Sequence, residues 1–106
     1  MGVEDIYELA EVMRVLGKVE RLYILALLSR RPMYVSEIAR ELKMPYPLVH
    51  LHLKALERVG LVESRYEMVT GARPHVRRYY RVREFRIVVT PELIAELASR
   101  GGRVEG

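Results

Sequence analysis

The sequence predicts a mainly α, α+β domain: helices first, then a β-hairpin, then one last helix. Three observations carry that prediction. Apolar residues recur at helical spacing from Ile6 to Val59, with Gly or Pro at the junctions Gly17, Pro32, Pro45, Pro47 and Gly60. From Leu61 the pattern becomes β-branched, aromatic and alternating. The chain has 106 residues, one domain's worth, with 50% hydrophobic and 30% charged residues, the profile of a packed domain rather than a disordered chain.

The first helix is expected from Asp5 to Leu16, where Ile6, Leu9, Met13 and Leu16 share a face that Val12 widens. Glu4 and Asp5 suit its positive N-terminal end, and Gly17 is a natural stop. The second, Lys18 to Ser29, is apolar almost all round from Leu22 onward, which predicts a central, buried helix. Pro32 ends it, and Met33-Tyr34-Val35 reads as a short extended stretch. Ser36 is the expected cap of a third helix, Glu37 to Lys43, with Ile38, Ala39 and Leu42 inward. Pro45 and Pro47 push Met44 and Tyr46 away from helical geometry, so the fourth helix is expected to start at Pro47, running to about Val59.

Leu61 to Val69 and Val76 to Val82 are then two strands, joined by the loop of residues 70 to 75, with both Gly71 and Pro74 in it. Ile87-Val88-Val89 is expected to extend or join the sheet. Thr90-Pro91 caps and opens a last helix to about Ser99, and residues 100 to 106 form a flexible tail. About five helices and a β-hairpin in this order make a winged helix-turn-helix over residues 1–99.

Charge and composition narrow the function. Residues 64 to 86 hold seven arginines against Glu67 and Glu84, a local balance of +5. The whole chain is +4, so the rest carries −1. Basicity concentrated in one stretch is what a polyanion-binding surface looks like, a solvated basic face being the plainer alternative. Zero cysteines exclude disulfides, thiolate metal sites and thiol catalysis. No catalytic triad, paired-carboxylate site or glycine-rich phosphate loop is legible, so no enzyme activity and no cofactor are expected. The longest apolar run, Leu22 to Leu28, is far too short to cross a bilayer, and no charged-then-apolar leader opens the chain. A cytoplasmic location is expected, with no membrane partner. There is no Asn or Gln, and arginine outnumbers lysine 15 to 3. Both a protein that works hot and a GC-rich genome produce that balance.

At 100° per residue, the fourth helix buries Val49, His52, Leu53, Leu56 and Val59 and presents Pro47, His50, Leu51, Lys54 and Arg58 on the opposite arc. A recognition helix enters the major groove by its N-terminal part, which puts Tyr46, Pro47, His50 and Leu51 nearest the bases and Lys54 and Arg58 near phosphates. His50 suits guanine and Leu51 the thymine methyl, while the usual bidentate reading of adenine has no Asn or Gln to perform it. Direct readout is therefore expected to be sparse, with DNA shape carrying more of the specificity. In the hairpin, Arg65, Arg73, His75, Arg77 and Arg78 are the candidates for phosphate or minor-groove contact, and Tyr80 and Val82 point to the core. His50 and His52 lie about 200° apart around the helix and cannot share a metal. His52 reads as a hydrogen-bonded packing residue.

The chain resembles the ArsR-type winged-helix transcriptional regulators. His52-Leu53-Lys54-Ala55-Leu56 followed by Gly60-Leu61-Val62 matches that family's "H-L-K-x-L-x-x-x-G-L-V" signature. Arg21-Leu22-Tyr23-Ile24-Leu25 resembles its second helix, Val35-Ser36-Glu37-Ile38-Ala39 its third, and Arg78-Tyr79-Tyr80-Arg81-Val82 its second wing strand. Thr90-Pro91-Glu92-Leu93-Ile94 is similar to the ending of archaeal members. The resemblance spans roughly residues 12 to 98.

It departs from the family pattern at Lys43, where glycine is usual, at Pro45 and Pro47, and at His50, where serine is usual. The positions of the metal-sensing thiolates hold Ala39, Arg40 and Glu41, and the last helix offers Glu92 and Glu96 without histidine, so no metal site is implied. The resemblance implies a homodimer on double-stranded DNA, joined through the first and last helices: Tyr7, Val12 and Met13 with Ile94, Leu97 and Ala98. It also implies a sequence-specific regulator, a repressor by analogy, whose effector is unknown. A weakly selective chromatin-type protein is the alternative that the concentrated arginines and poor base-reading set suit. A winged helix docking on another protein is the other, for which exposed Tyr46, Pro47 and Leu51 would serve.

Overall fold

The computed structural model describes residues 2–100. Its elements are α1 (Ile6–Leu16), α2 (Val19–Leu28), β1 (Met33–Tyr34), α3 (Val35–Leu42), α4 (Tyr46–Arg58), β2 (Val62–Val69), β3 (His75–Val82) and α5 (Pro91–Ser99). The strands form one antiparallel sheet in the order β1-β3-β2, with Met33 opposite Tyr80 and Val62 opposite Val82. This is the predicted α+β winged helix-turn-helix. The expected tail beyond Arg100 lies outside the described residues.

Caps explain most boundaries. The Asp5 carboxylate accepts from the Glu8 N–H at 2.7 Å, and Thr90 Oγ1 from the Leu93 N–H at 3.0 Å, each satisfying a donor with no intrahelical partner. The third helix starts earlier than expected, at Val35, and Ser36 is not its cap. Glu37 reaches back instead, its Oε1 accepting from the Tyr34 N–H at 2.9 Å, the return half of a capping box. The fourth helix likewise begins one residue before Pro47, at Tyr46. A first-turn N–H lacks a helical acceptor anyway, so proline at the second position forfeits nothing.

Between α3 and α4 the chain turns through Lys43 at φ 54° and ψ 45°, the one described non-glycine residue in the left-handed region. The Met44 N–H bonds the Ala39 carbonyl at 3.0 Å, which closes the end of α3. Lysine where the family usually has glycine costs on the order of 1 kcal/mol.

The core runs through α2, α3, α4 and the sheet, centred on Ile24, Ile38, Leu53, Leu56, Leu61 and Tyr80, all fully buried. Burial of each leucine here contributes about 2 kcal/mol. Two expectations change. The second helix is buried on one side only: Leu22 and Tyr23 are 50% and 60% exposed, because no element covers its outer face. Ile87-Val88-Val89 joins no strand among the described residues. The free edge of β3 is already taken by β1, so the third strand comes from Met33–Tyr34 instead.

One polar contact lies inside this core. Arg21, 6% exposed, donates from Nε to His52 Nδ1 at 3.1 Å and from Nη1 to the Val15 carbonyl at 3.0 Å. The pair ties α1, α2 and α4 together, and His52 is a hydrogen-bonded packing residue.

Candidate nucleic-acid interface

The amphipathic pattern of α4 decides what it presents. Val49, His52, Leu53 and Leu56 face the core, while Tyr46, Pro47 and Leu51 face outward, Leu51 at 62% exposure. A leucine that exposed on a positioned helix has apolar surface to give to a partner. Tyr46 and His50, one turn apart, stack with planes 6° apart and centroids at 6.5 Å. Lys54 pairs with Glu57 at 3.5 Å. Arg58 is exposed but lies apart from the others, in a groove with Glu8 and Glu11 of α1.

The wing flanks the start of this helix. On β3, Arg77 lays its guanidinium 3.6 Å from the centroid of the Tyr34 ring, and its Nη2 donates to Ser36 Oγ at 3.3 Å. The Tyr34 hydroxyl donates to Glu67 of β2 at 2.6 Å, and that hydrogen bond, then burial, hold the phenol pKa above its ordinary value. Arg78, on the other face of β3, donates from Nη2 to Ser64 Oγ at 2.8 Å and to Glu57 Oε1 at 3.3 Å. Burial pushes the Glu57 carboxyl up, but the Ser64 hydrogen bond and the charges of Arg78 and Lys54 outweigh it and leave the pKa below the usual range. Glu63 pairs with Arg81 and, at 3.7 Å, with Arg65. Arg73 and His75 stand exposed at the tip, the Arg73 carbonyl 3.0 Å from His75 Nδ1.

Of the predicted DNA-facing residues, the fold gathers Tyr46, His50, Arg77 and Arg78 around one cleft of about 240 Å³, completed by Tyr34, Val35, Ser36 and Val76. Pro47 and Leu51 sit on the outward side of the same helix, Arg73 and His75 lie beyond the cleft at the wing tip, and Arg65 lies outside it on β2, opposite Tyr79. Sequence reasoning missed Tyr34, Ser36 and Glu67, which set where Arg77 lies. Alternation along β2 and β3 could have paired Glu67 with Arg77, their register partner, but nothing local marks Tyr34.

The expected dimer residues divide. Tyr7, Met13, Ile94 and Ala98 are exposed on α1 and α5. Val12 and Leu97, at 1% and 0% exposure, are buried within this chain, where α5 packs on α1. No three His, Cys, Asp or Glu side chains among the described residues cluster as metal ligands would, and no described helix is long and apolar enough to cross a membrane.

A helix-turn-helix with an outward-facing second helix, beside an arginine-bearing hairpin, defines a winged-helix DNA-binding domain. The family profile described as "Bacterial regulatory protein, arsR family" matches residues 18–64. An HTH-type transcriptional regulator of Methanocaldococcus jannaschii is 33% identical over 97 residues, covering 92% of this chain and 96% of the relative. The solution structure of a homodimeric winged helix-turn-helix DNA-binding domain from Mycobacterium bovis superposes with a TM-score of 0.60 at 31% identity, covering 89% of this chain and 74% of that one. An ArsR-like transcriptional regulator from Rhodococcus sp. RHA1 gives a TM-score of 0.57 at 31% identity, covering 89% and 78%. The chain belongs to the ArsR family of helix-turn-helix transcriptional regulators, and it is a DNA-binding regulator.

Proposed function

We propose that this regulator works in the cytoplasm as a homodimeric repressor on an inverted repeat in double-stranded DNA, by binding alone and with no catalytic step. The first turns of α4 enter the major groove, with Tyr46, Pro47, His50 and Leu51 nearest the base edges and Lys54 near a phosphate. The wing runs along the backbone, with Arg65, Arg78 and Arg77 in that order along it, and Arg73 and His75 at a tip that reaches the minor groove. Arg58 joins them only at the far end of the helix. The observation that carries this reading is the exposed, apolar start of α4 standing beside an arginine face that shares a cleft with it. Tyr7 and Met13 with Ile94 and Ala98 supply an exposed apolar face for a second copy, and the M. bovis domain is itself homodimeric.

A salt titration of binding to two duplexes tests it, one being the DNA upstream of the protein's own gene and the other a shuffled version of equal length. A preference of about a thousandfold at physiological salt is expected. Footprinting should then show two protected half-sites about one helical turn apart, overlapping the promoter. Equal binding that falls steeply with salt would replace the specific repressor with a weakly selective, chromatin-type role, which the absence of Asn and Gln would suit. Absence of binding to either duplex would leave the docking of α4 on another protein.

A further inference from the structure

The cleft between α3, α4 and the wing holds polar groups that the free protein leaves incomplete. His50 Nδ1 and Arg78 Nε are buried without a hydrogen-bond partner. So is the hydroxyl of Tyr80, a fully buried residue beside them on β3, whose ring centroid lies 5.1 Å from the Arg78 guanidinium carbon. An unmade hydrogen bond at a buried group costs about 1–3 kcal/mol, and folded proteins keep few of them. Two of these residues, His50 and Arg78, line the cleft on the face assigned above to DNA and call for a common partner, while Tyr80 lies in the core behind them.

The chemistry of the two specifies that partner. Arginine Nε only donates, and His50 Nδ1 donates in one tautomer or when protonated. Arg77 adds a second guanidinium, held in place by the Tyr34 ring and Ser36. No carboxylate lines the cleft. The first turn of α3 opens there too, which adds the positive end of a helix dipole. Two guanidiniums and an imidazole around a cleft whose lining holds no carboxylate suit a group that only accepts, carries negative charge and offers several oxygens: a phosphate.

We propose that this cleft seats one phosphate group of the bound DNA in each half-site, gripped by Arg77, Arg78 and His50, so that one backbone position fixes the register of α4 on the bases. The proposal rests on the DNA-binding reading above. It adds to that reading a single built seat in place of a diffuse basic surface. Free phosphate has the same chemistry, and the test has to tell the two sources apart.

The test uses the footprinted duplex with a neutral methylphosphonate placed at each backbone position in turn. Wild-type protein should show one position per half-site whose neutralisation weakens binding about tenfold more than its neighbours do. In R78K, which keeps the charge but loses Nε–H, and in H50A, that excess should vanish while the smaller effects elsewhere remain. H50A removes an unsatisfied buried atom and should keep the wild-type melting temperature. R78K also disturbs the bonds to Ser64 and Glu57 and should melt somewhat lower but still cooperatively. The smaller effects retained at the other backbone positions then show that loss of the excess is not misfolding. A flat profile with wild-type protein on a duplex it binds would overturn the seat and leave the DNA reading standing. Inorganic phosphate at 10 mM (on the order of a weak site's dissociation constant) should change DNA affinity no more than sulfate at equal ionic strength. Selective competition by phosphate, together with a flat scan, would assign the cleft to a free anion and overturn the proposal. Failure to bind any duplex would overturn the DNA reading and the seat with it.

Discussion

Two histidines on α4, two residues apart, sit beside two arginines and end in opposite conditions. His52 turns inward, and its Nδ1 receives the Arg21 Nε–H, while the same guanidinium also satisfies the Val15 carbonyl. His50 turns toward the wing, stacks on Tyr46, and leaves Nδ1 buried and unpartnered near an equally unpartnered Arg78 Nε. The residue types are the same, and so is the helix. What separates them is completeness: the inner set closes on groups of its own chain, while the outer one, although Arg78 Nη2 reaches Ser64 and Glu57, leaves His50 Nδ1 and Arg78 Nε without a partner. Hydrogen-bond accounting, more than residue identity, tells a structural histidine–arginine pair from one proposed to bind DNA.

The hardest way to break the comparison is to remove Arg21. R21A leaves the Val15 carbonyl and His52 Nδ1 buried without donors and opens a cavity between α2 and α4. It should lower unfolding free energy by about 3 kcal/mol in chemical denaturation. The protein that remains folded should bind DNA with an unchanged salt slope, because none of the proposed DNA contacts has been touched. A loss below about 0.5 kcal/mol would mean that water replaces the guanidinium and that the inner set is not closed.

Acid offers a second, smaller perturbation of the same set. Burial first, and the Arg21 charge second, hold the His52 pKa below its ordinary 6.5, with Glu20, 3.9 Å from Nε2, opposing them. Below pH 6.5 the unfolded chain takes up a proton that the folded chain resists, so this contribution is present above that pH and is lost as pH falls through the folded pKa. The denaturant midpoint should decline as pH falls below 6.5. H52N, which keeps an acceptor but cannot titrate, should flatten that limb, and an equally steep limb in H52N would assign it to other groups.

The same contrast governs what the sequence made legible. Periodicity found the inward arc of α4, the two wing strands and the Thr90 cap, because each is written in consecutive residues. The positive φ at Lys43 was hinted at only by the resemblance, which puts glycine at that position. The cleft was half readable: alternation and the helical wheel marked His50, Arg77 and Arg78 as candidates. Its other wall was not, since β1 has only two residues and so no period of its own. Tyr34 enters the site only because β1 pairs with β3, a long-range choice that also displaced Ile87–Val89 from the sheet. The outer half of the comparison was hidden for this reason, being assembled across the chain rather than along it.

Arg73, at the exposed wing tip, sharpens the outer side of the contrast without touching the cleft. R73A should weaken binding to all duplexes about equally and lower the salt slope by roughly one, with no change in melting temperature. The methylphosphonate position assigned to the cleft should keep its excess in this variant. An unchanged salt slope would put the tip off the DNA.

Glu57 offers the finest test, because it joins the two regions. It lies one turn beyond the inward-facing Leu53 on α4, yet its carboxylate accepts from Ser64 Oγ at 2.8 Å and pairs with Arg78 at 3.3 Å. A depressed pKa keeps it charged at neutral pH, so it holds negative charge beside the proposed DNA face. E57Q retains an acceptor for Ser64 and removes that charge. Half-exposed ion pairs contribute little, so stability should fall by no more than about 0.5 kcal/mol. DNA affinity should rise a few-fold, since one repulsive charge is gone and Arg78 is released from its pair. A fall in affinity would mean instead that Glu57 aims the Arg78 guanidinium. The outer set would then depend on the body of α4 for its geometry as the inner one does, differing from it only in what completes its hydrogen bonds.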